Sequence, residues 1–257
     1  MAKAFAALLP AVVDIAERAG RAILAVYGRD FSAARKADGT PVTDADHDAE
    51  AIILPALAEL TPDIPVVSEE CAAAGRTPAF TGDTFWLVDP LDGTREFVKR
   101  NDEFCVCIGL IEATAPVLGV LHGPALGVTY AAAGPGTARR RQGKRAAEPI
   151  AARAAPCAGL AALISRSHRR GTPVDEFLAR FAVAERHAMG SALKFGLIAA
   201  GEADIYPRLG PTCEWDTAAG HAVLQAAGGT VETIDGGPFT YGKPGFRNPG
   251  FVARGRR

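Results

Sequence analysis

The chain has 257 residues, 48% of them hydrophobic, with 28 Lys and Arg against 29 Asp and Glu. That balance leaves no global field to attract a nucleic-acid polymer or an anionic membrane, so any anion recognition has to be local. No stretch approaches the roughly 18 uncharged apolar residues of a membrane span, so a soluble chain without a transmembrane segment is expected. The length sits at the upper edge of one domain. A single domain over 1–257 is expected, with two lobes at about 1–150 and 151–257. The five cysteines form an odd set without a C-x-x-C pair, which suits a reducing compartment. A cytoplasmic location follows as the expectation, with peripheral contact at the inner membrane left open.

The apolar run after Lys3 meets Pro10, and Asp14, Glu17 and Arg18 follow at helix-surface spacing. The start of the chain therefore reads as an amphipathic helix and not as a secretory leader. Val12, Ile15, Ala16, Ala19, Ile23 and Val26 form one stripe of a helix over 11–27, closed by Gly28. A polar loop from Lys36 to Val42 leads to Thr43, an N-cap, with Asp44 and Asp46 in the first turn where negative charge suits the dipole. The second helix runs to about Leu60, and Pro55 predicts a kink or an early end. From Ile64 the period becomes that of strands, at 64–67, 85–88, 104–111, 117–121 and 128–130. Cys105 and Cys107 alternate in the third of these and read as buried packing on one face. Residues 134–155 carry Arg139, Arg140, Arg141, Lys144 and Arg145 among Gly, Pro and Ala. That segment reads as a hairpin tip or inter-lobe connection with solvated charge. A strand at 161–164, helices at 174–181 and 192–200, a short strand at 204–206 and a last helix over 217–227 follow. Gly228-Gly229 stops that helix, and no internal repeat is present.

The densest chemistry lies at Trp86-Leu87-Val88-Asp89-Pro90-Leu91-Asp92-Gly93-Thr94. An apolar strand running into Asp, Pro, Asp and Gly delivers two carboxylates at its C-terminal end, on a loop shaped by Pro90 and Gly93. Strand ends are where α/β proteins build sites. Asp89 and Asp92, with a backbone carbonyl between them, can converge as hard oxygen donors suited to magnesium more than zinc. A second strand ends in Ser68-Glu69-Glu70, and a third acidic group, Glu214-Trp215-Asp216, precedes the last helix. Each alone reads as a solvated loop. Together, without an equal supply of neighbouring Lys or Arg, they would repel one another unless cations bind.

These segments resemble the signatures of the inositol monophosphatase superfamily: the Trp86–Thr94 loop and Glu214-Trp215-Asp216-Thr217-Ala218-Ala219-Gly220, supported by Pro41-Val42-Thr43-Asp44-Ala45-Asp46 and Ser68-Glu69-Glu70. They stand in the family's order between Lys36 and Gly229. The resemblance implies a layered αβαβα sandwich of the α+β class and a site using two or three magnesium ions, sensitive to lithium. It implies Glu69, Asp89, the Leu91 carbonyl, Asp92 and Asp216 as metal ligands. Asp46 and Thr94 would orient and help deprotonate the attacking water. Read without the family, Asp46 is ordinary dipole-favoured placement near a helix N-terminus.

Within the family, Arg95-Glu96-Phe97 after Thr94 resembles the bisphosphate-nucleotidase form of the loop. Ser165-Arg166-Ser167-His168, Gly190-Ser191-Ala192-Leu193-Lys194 and Tyr206-Pro207-Arg208 resemble its nucleotide-contacting segments. A substrate with two phosphates needs metals at one and cationic donors at the other. His168, Lys194 and Arg208 would supply the donors, with Gly93, Thr94, Ser191 and Asp216 also at the substrate. The plain readings are a solvated basic turn for His168, a helix surface for Lys194 and a loop cap for Arg208. Ala192 stands where the family commonly has a second Ser, which removes one hydroxyl donor. The implied reaction converts adenosine 3′,5′-bisphosphate to AMP and phosphate, in the service of sulfate assimilation. The partner is then a small phosphorylated nucleotide, and the chain a monomer or homodimer. An inositol or general sugar monophosphatase is the alternative. A non-catalytic sensing relative is disfavoured, because Asp46, Glu69, Asp89, Asp92, Thr94 and Asp216 are all present.

Overall fold

The computed structural model describes residues 5–36, 39–79, 82–166, 171 and 173–256. Helix α1 spans Leu9–Tyr27 and buries the anticipated stripe from Val12 to Val26. It starts earlier than the periodicity suggests because Pro10, in the first turn, needs no amide donor there. Strands β1 (Ala33–Arg35) and β2 (Pro41–Thr43) pair antiparallel and lead into α2, Asp44–Leu60. The expected early end at Pro55 does not occur. Pro55 and Ala51, whose carbonyl loses its donor, both lie on the exposed face, where water can take over the bond.

Next come β3 (Val66–Ser68), α3 (Glu69–Ala73), β4 (Thr84–Asp92), α4 (Thr94–Val98), β5 (Cys105–Glu112), β6 (Ala115–Gly123), β7 (Val128–Ala133), β8 (Arg139–Gln142) and β9 (Glu148–Pro149). The seven strands β3 to β9 lie in sequence order in one sheet. Only β3–β4 is parallel. The segment read as a hairpin tip or connection thus adds two strands to this sheet. Two of its arginines are paired and fasten the edge, Arg140 with Glu148 and Glu202 and Arg141 with Glu17, whereas Arg139, Lys144 and Arg145 are exposed, as the solvated-charge reading expects.

The second half contributes β10 (Leu160–Ser165), α5 (Pro173–Leu178), β11 (Val183–Met189), α6 (Leu193–Ala199), β12 (Ile205–Arg208), a 3-10 turn at Glu214–Asp216, α7 (Ala218–Ala226), β13 (Thr230–Thr233) and β14 (Phe251–Arg254). The sheet order is β11-β10-β12-β14-β13. Strands β11, β13 and β14 are absent from the sequence reading. Among the described residues, no helix is long and apolar enough to cross a membrane.

Three apolar clusters define the layers. Helices α1 and α2 bury Ile15, Ile23, Ile53 and Leu57 against Trp86, Val106 and Ile108 on the outer face of the first sheet. Leu193, Phe195, Ala219 and Val223 of α6 and α7 lie between its inner face and Leu163, Tyr206 and Phe251 of the second sheet. Phe177 and Leu178 of α5 cover that sheet's far side with Ala162 and Val252. The result is the αβαβα sandwich.

Helix α7 approaches the first sheet through a glycine pair. Gly109 and Gly119 are cross-strand partners, and a Cβ at Gly119 would lie 2.3 Å from the Ala219 carbonyl oxygen and 2.8 Å from the Ala222 Cβ. Gly119→Ala is therefore expected to cost about 1–3 kcal/mol of stability through overpacking. An unchanged urea midpoint would contradict this packing. The contact also matters for chemistry, because α7 follows directly on Asp216.

Candidate active site

Three strand or helix ends meet at one point. Parallel pairing of β3 with β4 sets Ser68 beside Val88, so Glu69 and Asp89 leave adjacent strands together. The Ser68 hydroxyl caps α3 by accepting from the Cys71 amide at 3.3 Å, and donates to buried Glu50 at 2.5 Å. On the other side of β4, Asp89 pairs with Cys107 and Asp92 with Cys105, with an irregularity between. The loop strand thus holds one extra residue, a bulge that turns the two carboxylates toward the site. Asp89 accepts from the Leu91 amide at 3.0 Å. Gly93, at φ +95°, turns the chain into α4, a left-handed conformation that only glycine adopts freely. Asp216 closes the 3-10 turn by accepting from the Cys213 amide at 2.8 Å.

Carboxylate oxygens of Glu69, Asp89 and Asp216 lie within 4.8 Å of one another. Burial, then the charges of Glu69, Asp92 and Asp216, holds the Asp89 carboxyl well above the usual range. Asp216 is raised in the same way, by burial and by Asp92 and Glu69. Burial pushes Asp92 up to about 6, with Lys194 and the Ala192 amide opposing. Asp89, Asp92 and Asp216 would hold their charge far more readily with a cation among them. An all-oxygen set of this kind fits a hard divalent ion. On the Glu69 side the protein supplies Lys36, whose Nζ lies 2.6 Å from Glu69 and 2.5 Å from Glu70. Burial disfavours its charge, but Glu69 and Glu70 raise its pKa overall. Sequence reasoning missed Lys36; its one signal was being the cation of the polar loop before Thr43.

Asp46 serves two purposes at once. One oxygen accepts from the Thr43 amide and hydroxyl, each at 2.8 Å, completing a capping box on α2. The other lies 3.2 Å from the Thr94 hydroxyl, which is also 3.1 Å from the Leu91 carbonyl. Burial raises the Asp46 pKa, with the Thr43 bonds opposing.

The expected substrate side is arranged differently from the sequence reading. Lys194 is not a helix-surface residue, and two of its three N–H donors are already taken. It is 3% exposed, and its Nζ donates to the Met189 carbonyl at 3.1 Å and the Ser191 carbonyl at 2.5 Å. Burial lowers its pKa to about 8, with Asp92 opposing. Its charge faces Asp92 and braces the turn at Ser191, a left-handed residue at φ +50°. The Ala192 amide donates to Asp92 from the same turn. Arg208 donates to the Pro211 carbonyl at 3.2 Å, while its Nε is buried with no hydrogen-bond partner among the described residues. Arg166 pairs with Glu103, which also accepts from the Gly190 amide at 2.7 Å. His168 lies outside the described residues. Glu214 departs from the acidic group it was read with. Fully buried, it accepts from the amides of Gly242 and Lys243 at 2.8 and 2.9 Å and fastens the C-terminal loop.

A model of the inositol monophosphatase family matches residues 6–250. The 3′(2′),5′-bisphosphate nucleotidase CysQ of Salmonella typhimurium is 44% identical over 247 residues, covering 95% of this chain and 98% of the relative. The Escherichia coli CysQ is 42% identical with the same coverage. The crystal structure of CysQ from Bacteroides thetaiotaomicron superposes with a TM-score of 0.79 at 35% identity, covering 96% of both chains. Inositol monophosphatase from Anabaena gives 0.77 at 26% identity, covering 98% of this chain and 92% of that one. With the layered fold, the ordered motifs and matches along almost its whole length, the chain belongs to the inositol monophosphatase family.

Proposed function

We propose that this chain is a 3′(2′),5′-bisphosphate nucleotidase that removes the 3′-phosphate of adenosine 3′,5′-bisphosphate, leaving AMP. The observation that carries this reading is 44% identity over nearly all of a nucleotidase of that name. The setting we propose is the cytoplasm, where the reaction clears a by-product of sulfate assimilation. The two sheets with the helices around them would be its two lobes.

Glu69, Asp89, the Leu91 carbonyl, Asp92 and Asp216 would hold magnesium, two or three ions in all. Bound there, magnesium makes water more acidic and offsets charge on the phosphoryl oxygens. The chain's own residues would move the proton. The attacking water gives its proton to Thr94 Oγ1, whose own proton passes to Asp46 across 3.2 Å. The Thr43 bonds hold Asp46 in line, and its burial-raised pKa makes it a stronger base than an exposed carboxylate. With two of the three Lys194 donors on carbonyls, recognition of the second phosphate falls mainly to Arg208, whose buried Nε has no hydrogen-bond partner among the described residues. Ser191 and, by its motif, His168 complete that side, and Gly93 and Thr94 face the phosphate being cleaved.

A substrate panel tests the assignment. Phosphate release is expected to favour adenosine 3′,5′-bisphosphate over inositol 1-phosphate and fructose 1,6-bisphosphate by more than about tenfold in kcat/KM. It should vanish without magnesium and fall with lithium. A preference for inositol 1-phosphate would overturn the nucleotidase reading.

A further inference from the structure

The strand that faces the acidic loop places two thiols beneath it. Cys107 is the cross-strand partner of Asp89, and Cys105 that of Asp92. Both thiols are fully buried. Their sulfurs lie 3.6 Å apart, and Cys105 Sγ is 4.0 Å from Asp92 Oδ2. Ligand atoms of Asp92, Cys105 and Cys107 all fall within 4.8 Å of one another.

The sulfur–sulfur separation lies close to a metal bite, and the 4.0 Å from Cys105 to Asp92 is somewhat longer than one. Two sulfurs bound tetrahedrally to zinc at about 2.3 Å stand roughly 3.8 Å apart, and a zinc-bound carboxylate oxygen stands about 3.5 Å from each. Residues i and i+2 of one strand have Cα atoms roughly 6.6 Å apart, at the far edge of what a disulfide spans. The donor character also changes sharply across β4. Glu69, Asp89 and Asp216 offer oxygen alone, whereas Cys105 and Cys107 add two sulfurs to Asp92. Sulfur donors select zinc or cadmium over magnesium.

We propose that Asp92, Cys105 and Cys107 form a second metal site, selective for a thiophilic divalent cation of the zinc class, and that filling it withdraws Asp92 from the magnesium site and inhibits the enzyme. Each thiol releases its proton to solvent as the sulfur–metal bond forms, and one Asp92 oxygen completes the protein's share of the ligands. Asp92, the one member of the three that is not fully buried, marks the side open to an entering ion. The oxygen nearest Cys105 is also the acceptor of the Ala192 amide. A metal on that oxygen therefore pulls on the Ser191 turn as well. Inhibition rests on the role proposed above for Asp92, whereas binding does not.

The test is cadmium titration of the full reduced chain in excess magnesium, read as thiolate-to-cadmium charge-transfer absorption. One ion per chain is expected. Cys105→Ala and Cys107→Ala should each weaken binding by at least about tenfold, the loss that even an outer partner of a ligand costs. Cys157→Ala, at an exposed thiol, should not. An absent band, or one unchanged in both variants, would overturn the site. X-ray absorption of the zinc-loaded wild-type chain needs no variant to fold. Two sulfur scatterers support the site, and none or one refutes it. For inhibition, zinc should slow adenosine 3′,5′-bisphosphate hydrolysis in excess magnesium, with at least about tenfold more zinc needed in Cys107→Ala. Equal inhibition of both chains would refute the link to turnover. If neither chain hydrolyses that nucleotide, the nucleotidase reading fails while the spectroscopic results still decide the site.

Discussion

Asp89→Asn is expected to remove magnesium-dependent phosphate release, by more than the roughly 100-fold that loss of an outer ligand partner can cost, while making the metal-free chain more resistant to heat. The two effects have one origin. Asp89 is buried beside Glu69, Asp92 and Asp216, and these together raise its pKa well above 3.8. A carboxyl with a raised folded-state pKa contributes stability below its unfolded pKa, and that stability is lost as pH rises through the folded value. Without divalent cations the wild-type chain should therefore melt lower at pH 8 than at pH 5 as far as this cluster is concerned. Asn keeps an oxygen for the Leu91 amide and removes one charge from the cluster. In chelator at pH 8 the variant should melt above wild type, and magnesium should raise the melting temperature of wild type only. An equal magnesium-dependent gain in both chains would contradict Asp89 as a ligand.

The second large effect separates proton handling from metal holding. Asp46→Asn and Thr94→Ala are each expected to lower kcat by about 10²- to 10⁴-fold. Both should keep the magnesium-dependent rise in melting temperature, since neither side chain belongs to the Glu69–Asp89–Asp216 cluster. Asn can still cap α2 with its oxygen toward Thr43, but it then turns an amide toward Thr94 and reverses the sense of the 3.2 Å bond. Because the two residues act in one relay, the double variant should lose little more than either single one. Additive losses would contradict the relay. In the wild type, kcat should fall as pH drops through the raised pKa of Asp46, and that limb should be absent in the residual activity of Asp46→Asn.

Much of the site is legible in the sequence because it is built from strand ends. An apolar run that stops in Asp-Pro-Leu-Asp-Gly has few other structures open to it, and Ser68-Glu69-Glu70 stops its neighbour in the same way. Asp46 shows how a bland and a functional reading can both hold, since one carboxylate oxygen caps the helix while the other meets Thr94. Partners fixed by tertiary packing are a different matter. Lys194 has the periodicity of a helix surface, yet α6 lies between two sheets and turns it inward over Tyr206, 4.8 Å from the ring centroid. Glu214 has the same chemistry as Asp216 two residues on, and only the return of the chain at Gly242 and Lys243 takes it away from the site. Strand β11 escapes notice because Ala184 to Ala188 are exposed and lack alternation. Its pairing with β10 is what holds it in the sheet.

The most direct measurement follows the position and mechanism of cleavage together. Adenosine 3′,5′-bisphosphate is hydrolysed in heavy-oxygen water with magnesium, and the products are read by phosphorus NMR. Direct attack of water on the 3′-phosphorus requires AMP free of label and inorganic phosphate carrying one heavy oxygen. Adenosine 3′-phosphate as product, or phosphate released without label, would contradict it.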